Sequence, residues 1–142
     1  MRKKLVGAFV VVVVLILIGV ISVFLSQGIR QAQQKSAAQT TSEEFIDYIS
    51  NAKPDEAYAL LTDEAKMNSN KFLWGSSVAK YGVYLSESKI QEPTFVTDSE
   101  KIVATYPVIL RDDTKAEITL HLKSQDKDSP LKVNYVLIRS VE

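Results

Sequence analysis

The chain has 142 residues, 17 basic and 17 acidic side chains, 46% hydrophobic residues and no cysteine. That length suits one ordinary domain, and the missing cysteines exclude a disulfide scaffold, thiolate metal sites, a thiol nucleophile and a lipid-modified cysteine anchor. The zero net charge hides two unlike parts: residues 1–35 carry five basic residues and no acid, whereas residues 43–142 carry all 17 acids and a net charge of −5, which excludes a strongly basic nucleic-acid binder.

From Leu5 to Leu25 no residue is charged and nearly every side chain is apolar. At about 1.5 Å per residue a helix of this length covers roughly 30 Å, the hydrocarbon thickness of a bilayer. The run is therefore expected to be a transmembrane helix, with Ser22 bonded back to a carbonyl one turn earlier. Arg2, Lys3 and Lys4 mark residues 1–4 as a cytoplasmic tail, so residues beyond 25 are expected outside the cell or inner membrane. A cleaved signal peptide is the alternative, with Ser26-Gln27-Gly28 as a cleavage site, although its apolar region would normally be shorter. A pilin-like leader fits less well, because Gly7 precedes Ala8 and Phe9 and no acid occurs before Glu43. Gly19 has no small residue four positions on and reads as lipid-facing.

Residues 26–41 hold one large apolar residue, Ile29, and read as a solvated linker, although Gln, Ala, Lys and Arg would let the preceding helix extend into them. Thr41-Ser42-Glu43-Glu44 fits a capping box. Phe45, Ile46, Ile49 and Ala52 then share a helical face. Pro54 suits the first turn of a second helix with Ala57, Leu60 and Leu61 buried, and Thr62 suits a cap for a short turn through Asp63 and Glu64. Asn68-Ser69-Asn70 interrupts the pattern. Phe72, Leu73, Val78 and Tyr81 then predict a third helix, bent near Gly75 and stopped by Gly82. Trp74 is expected between helix and sheet.

Beyond Gly82 the period becomes two. Strands are predicted at Tyr84–Ile90, continuing past Pro93 to Val96, then at Lys101–Leu110, Ala116–Lys123 and Leu131–Val141. Pro107 marks the second of these as an edge strand or a bulge. Alternation places Tyr106 inward on that strand, and Val133, Tyr135 and Leu137 together on the last one, whose Val136 and Ile138 make its other face apolar as well. The predicted fold class is α+β: one N-terminal transmembrane helix, then two or three helices packed on a curved antiparallel sheet of about four strands in residues 42–142.

The run Glu43-Glu44-Phe45-Ile46-Asp47-Tyr48-Ile49, followed by Pro54-Asp55-Glu56-Ala57-Tyr58-Ala59-Leu60-Leu61-Thr62, resembles the opening of nuclear transport factor 2-like domains, the cone-shaped, cystatin-like superfamily. The hairpin-rich second half resembles that superfamily too. Bacterial membrane-anchored versions share a short cytoplasmic tail, one span and an external domain. The resemblance implies a binding or assembly module held at the membrane, with an envelope or membrane protein partner. The alternative it implies is a small-ligand binder or an isomerase- or cyclase-like enzyme working inside the cone.

Such chemistry would need a carboxylate or histidine beside an oxyanion-holding hydroxyl. Tyr106, Tyr135 and Trp74 are the candidate pocket residues. His121, the single histidine, alternates with Thr119 and Lys123 and points away from the apolar face. Asp112-Asp113 reads as a charged hairpin tip, and Asp126 and Asp128 as a polar turn. No phosphate-binding glycine loop, zinc-protease or nucleophile-elbow motif occurs, and no cofactor, metal or nucleic-acid partner is expected.

Overall fold

The fold is described from a computed structural model covering residues 2–98, 101–126 and 129–141, with the side chains of residues 2–14 and 17 outside the description. The chain divides into two compact units, residues 1–34 and residues 35–142. The first helix, α1 (Arg2–Ser50), is continuous through both.

In the first unit, Ser22 Oγ donates to the Ile18 carbonyl at 2.8 Å, as its position one turn later requires. Leu15, Ile16, Ile18, Val20, Ile21, Val23, Phe24 and Leu25 are all exposed. A Cβ placed on Gly19 would meet nothing within 4 Å. Among the described residues no helix is long and apolar enough to cross a membrane. Much of the span expected at Leu5–Leu25 lies outside the described side chains.

The second unit is α+β. Helices α2 (Pro54–Ala59), α3 (Asp63–Met67) and α4 (Lys71–Leu85) follow α1. They are succeeded by β1 (Lys89–Ile90), β2 (Thr94–Asp98), β3 (Lys101–Ile109), β4 (Lys115–Ser124) and β5 (Leu131–Ser140). All strands pair antiparallel in the order β1-β3-β4-β5, with β2 also on β3. The expected first strand is thus two short pieces sharing one edge of β3.

Three local expectations are corrected by the helices. No helix starts at Thr41, because α1 already runs through it. The Gln- and Ala-rich stretch propagates the helix, and the hydroxyls of Thr40 and Ser42 bond back to the carbonyls of Ser36 and Ala38 rather than capping. Ala52 is exposed rather than part of the core stripe. It ends α1 in the left-handed region (φ 53°), with its N–H on the Ile49 carbonyl and the Lys53 N–H on the Tyr48 carbonyl. Gly82 does not stop α4, which continues to Leu85; a Cβ there would sit 2.8 Å from the Ile49 carbonyl oxygen, so glycine permits α4 to cross closely over the end of α1. The buried stripe of α4 is Val78, Gly82 and Leu85, while Phe72 and Leu73 face solvent. Pro54 in the first turn of α2 and Thr62 capping α3 stand as the sequence predicts, and Asn70, read from the sequence only as an interruption, caps α4.

The core lies between the helices and one face of the sheet. Phe45, Ile46 and Ile49 of α1, Ala57 of α2, Leu61, and Val78 and Leu85 of α4 meet Ile102, Ala104, Tyr106 and Val108 of β3 and Ile118, Leu120 and Leu122 of β4. Each large side chain buried there contributes about 1.5–3 kcal/mol.

Strand β5 departs from simple alternation. Val133 pairs with Leu122, but the next pair is Tyr135 with His121, so Asn134 is an extra residue and forms a bulge. The parity of the strand flips there. Val136 and Ile138 face inward opposite Leu120 and Ile118, and Tyr135 and Leu137 face outward, the reverse of the predicted arrangement. The bulge releases the Val133 backbone to bond Leu60 and Thr62, at 2.9 Å each, and Thr62 Oγ1 donates to Asn134 Oδ1 at 2.7 Å. In this way the α2–α3 junction is stitched to the sheet.

Candidate functional site

The site begins with Pro107. Strand β3 is not an edge strand: β4 lies on one side, and β1 and β2 lie on the other. Proline lacks the N–H that a neighbouring strand would use. Pairing with the outer edge lapses there: Ile90 pairs with Val108 and Thr94 with Thr105, leaving Gln91–Pro93 between the two ladders. One bond spans the lapse, from the Gln91 N–H to the Pro107 carbonyl at 2.8 Å.

Opposite this interrupted edge runs α1. Lys35, Gln39 and Glu43 are spaced four apart and form one stripe, and Gln39 Nε2 donates to Glu43 Oε1 at 2.8 Å. Between the stripe and the edge lies a cavity of about 610 Å³ lined by Lys35, Gln39, Glu43, Ile90, Gln91, Glu92, Pro93, Phe95 and Tyr106. The Lys35 ammonium stands 5.9 Å from the centre of the Phe95 ring. A second cavity of about 390 Å³ shares Glu43, Ile90 and Tyr106 and continues along α1 to Ser50 and Asn51. Together they make a furrow along α1.

Tyr106 forms its floor. The side chain is buried, and its hydroxyl lies 2.5 Å from Ser42 Oγ. Ser42 Oγ is also 2.7 Å from the Ala38 carbonyl and 3.0 Å from that of Gln39. Carbonyls only accept, so the single Ser42 proton goes to them and the Tyr106 phenol donates to Ser42. Burial raises the Tyr106 pKa above the usual phenol value, and the negative charge of Glu43 adds to that rise. The phenol is a neutral group at physiological pH. Among the described residues the Ser42 hydroxyl bonds two carbonyls and this phenol, and His121 lies on the far face of the sheet. The furrow thus has charged rims, apolar walls and a neutral hydroxyl below, with the Glu43 carboxylate on the same lining as Tyr106. Among the described residues no three histidine or carboxylate side chains converge as metal ligands.

The three candidate pocket residues are not brought together. Tyr106 lies in the furrow. Tyr135 is on the outer sheet face, 53% exposed, with its ring edge-on to His121 at 5.5 Å. Trp74 packs in the helical layer, its ring 6.0 Å from Phe45 and 6.4 Å from Tyr58, and its indole N–H donates to the Pro54 carbonyl at 3.0 Å. His121 points outward as predicted. At the tip of the β3–β4 hairpin, hydrogen bonds from the Thr114 side chain and then from the Thr114 N–H hold the Asp112 carboxyl below the usual range. Asp126 sits in a turn that it shares with Ser124 and Ser129, while Asp128 lies outside the described residues. Ser42 and the Lys35-Gln39-Glu43 stripe are absent from the sequence-based candidates. A signal for Ser42 exists: with Phe45, Ile46 and Ile49 it completes the spacing of a buried helical face.

No protein-family model matches the chain, and no curated protein matches it. Among solved structures, the chain is similar to a variant of Rv3472, a protein of unknown function from Mycobacterium tuberculosis. The TM-score is 0.57 and the identity 8%, over 80% of this chain and 75% of that one. At that identity the likeness concerns the fold alone.

Proposed function

We propose that the chain is a single-pass membrane protein of nuclear transport factor 2-like type. Its N-terminus is cytoplasmic, and its α+β domain outside the membrane is a non-enzymatic binding or assembly module. Residues 5–25 are the anchor. The uncharged run supports this, as do the eight exposed apolar side chains from Leu15 to Leu25. The three basic residues before the run support the orientation. Anchoring confines the domain to a thin layer and raises its effective concentration toward other envelope proteins.

The furrow along α1 carries the binding assignment. From Lys35 to Asn51 it follows about 24 Å of helix, the length of roughly seven extended residues. A trench of that shape, open and mixed in polarity, suits an extended segment of a partner protein better than a compact small molecule. Photo-cross-linking in cells tests this, with the reactive group placed at Gln39 or Gln91 and, as a control, at Thr119 on the outer sheet face. The expected result is a discrete adduct from the two furrow positions and none from Thr119. The adduct should weaken when the anchor is replaced by a cleavable signal peptide. Absence of any furrow adduct would overturn the assignment.

A further inference from the structure

The outer face of the sheet has a second feature that packing does not require. Lys123 of β4 stands directly opposite Lys132 of β5. Lys101 of β3 lies on the same face, one step beyond the Ile102–Leu122 pair. Like charges opposed across strands work against the sheet, and three lysines in one row call for a purpose. Two carboxylates face them among the described residues: Glu64 of α3, 3.9 Å from Lys123, and Asp98, paired across from Lys101. Among the described residues the corner keeps a positive balance.

Next to this row is a cleft of about 330 Å³ into which Lys101, Lys123, His121, Asn68, Asn134 and Tyr135 all reach. The bulge shapes it. Asn134 gives its side-chain oxygen to Thr62 and so presents its NH2 group to other partners. Tyr135, turned outward by the parity flip, holds the His121 ring edge-on and leaves a half-exposed flat wall. The lining is rich in donors, and the one carboxylate in it already leans on Lys123.

We propose that this cleft binds a small phosphorylated organic molecule, with its phosphoryl group among Lys101, Lys123 and His121 and its organic body against Tyr135. Lysine ammonium groups act as point charges suited to phosphoryl oxygens. The cleft is larger than a bare ion needs and lies at the small end of the range for organic ligands. This site is on the opposite face from the furrow and does not depend on the reading given to it.

Full-length 15N-labelled protein titrated with inorganic phosphate, phenyl phosphate, and sodium chloride at matched ionic strength provides the test. Both phosphates should give saturable shifts at the amides of His121, Asn134 and Tyr135, with phenyl phosphate binding about fivefold tighter through the Tyr135 ring. The K101Q/K123Q double variant should bind at least about tenfold more weakly while melting no lower than the parent, since it relieves a like-charge row. Shifts reproduced by sodium chloride would overturn the proposal. So would undiminished binding by the double variant, or equal affinity for the two phosphates.

Discussion

The β3–β4 and β4–β5 ladders carry similar alternating sequences and teach different lessons. Along β3 and β4 the alternation is unbroken, and Tyr106 goes inward to 3% exposure. Along β5 one inserted residue, Asn134, reverses the parity, and Tyr135 goes outward to 53%. Two tyrosines that look equivalent in sequence thus serve opposite faces. One floors a furrow beneath α1, and the other walls a cleft on the far side. The largest expected effect tests this contrast directly. Leu120→Ala, at a fully buried position of β4, should cost about 2–5 kcal/mol in urea denaturation. Tyr135→Ala should cost no more than about 1 kcal/mol, because half of the side chain already faces solvent. Comparable losses at both positions would mean that the bulge is not where β5 changes face.

Legibility in the sequence follows the same division. Regular period-two and period-3.6 patterns place the strands β3 and β4, the cap at Thr62 and the Phe45-Ile46-Ile49 face. The bulge is not legible, since Tyr135-Val136-Leu137-Ile138 after it is apolar on both parities and only the docking of Leu60–Thr62 onto Val133 selects one. The furrow is half legible: Pro107 announces a lapse in pairing, but the lapse falls in the neighbouring edge rather than in β3 itself. Lys35, Gln39 and Glu43 are hidden because a polar stripe on a helix looks like a spacer until an opposing wall is known.

Helix α4 shows a similar contrast between its two glycines. The end of α1 approaches α4 at Gly82, where an added Cβ meets the Ile49 carbonyl oxygen, a backbone atom that cannot rotate away. Gly82→Ala should therefore cost about 1–3 kcal/mol, in spite of alanine's better helix propensity. A Cβ added at Gly75 meets nothing within 4 Å, so Gly75→Ala in the same helix should stabilise by up to about 1 kcal/mol. Opposite signs in the two melts would locate the close crossing at Gly82; equal signs would remove it.

The furrow floor adds a pH signature. Tyr106→Phe removes one hydrogen bond and should cost about 0.5–1.5 kcal/mol at neutral pH. The folded pKa of Tyr106 lies above the ordinary value of 10.0, so the folded state favours the protonated phenol. That contribution is complete below pH 10.0 and is lost as pH rises through the folded pKa. The stability gap between parent and Tyr106→Phe should therefore narrow above pH 10.0 in alkaline denaturation curves. A gap independent of pH would place the phenol in solvent.

The smallest effect is expected where α1 ends. Ala52 holds a left-handed conformation that costs an L-residue about 1–2 kcal/mol. Ala52→Gly removes that strain, while the looser unfolded chain takes back about 0.4–1 kcal/mol. A net gain of about 0.5 kcal/mol should raise the melting temperature by roughly 2–4 °C. The same substitution also clears one neighbour of Gly82, because the Ala52 Cβ is 3.4 Å from where a Gly82 Cβ would stand. It leaves the Ile49 carbonyl at 2.8 Å, so the penalty of Gly82→Ala should persist almost unchanged in the double variant. If Ala52→Gly rescued Gly82→Ala, the contact that fixes the crossing would be side chain against side chain, and the backbone of α1 would have more freedom at its end than its paired Tyr48 and Ile49 carbonyls allow.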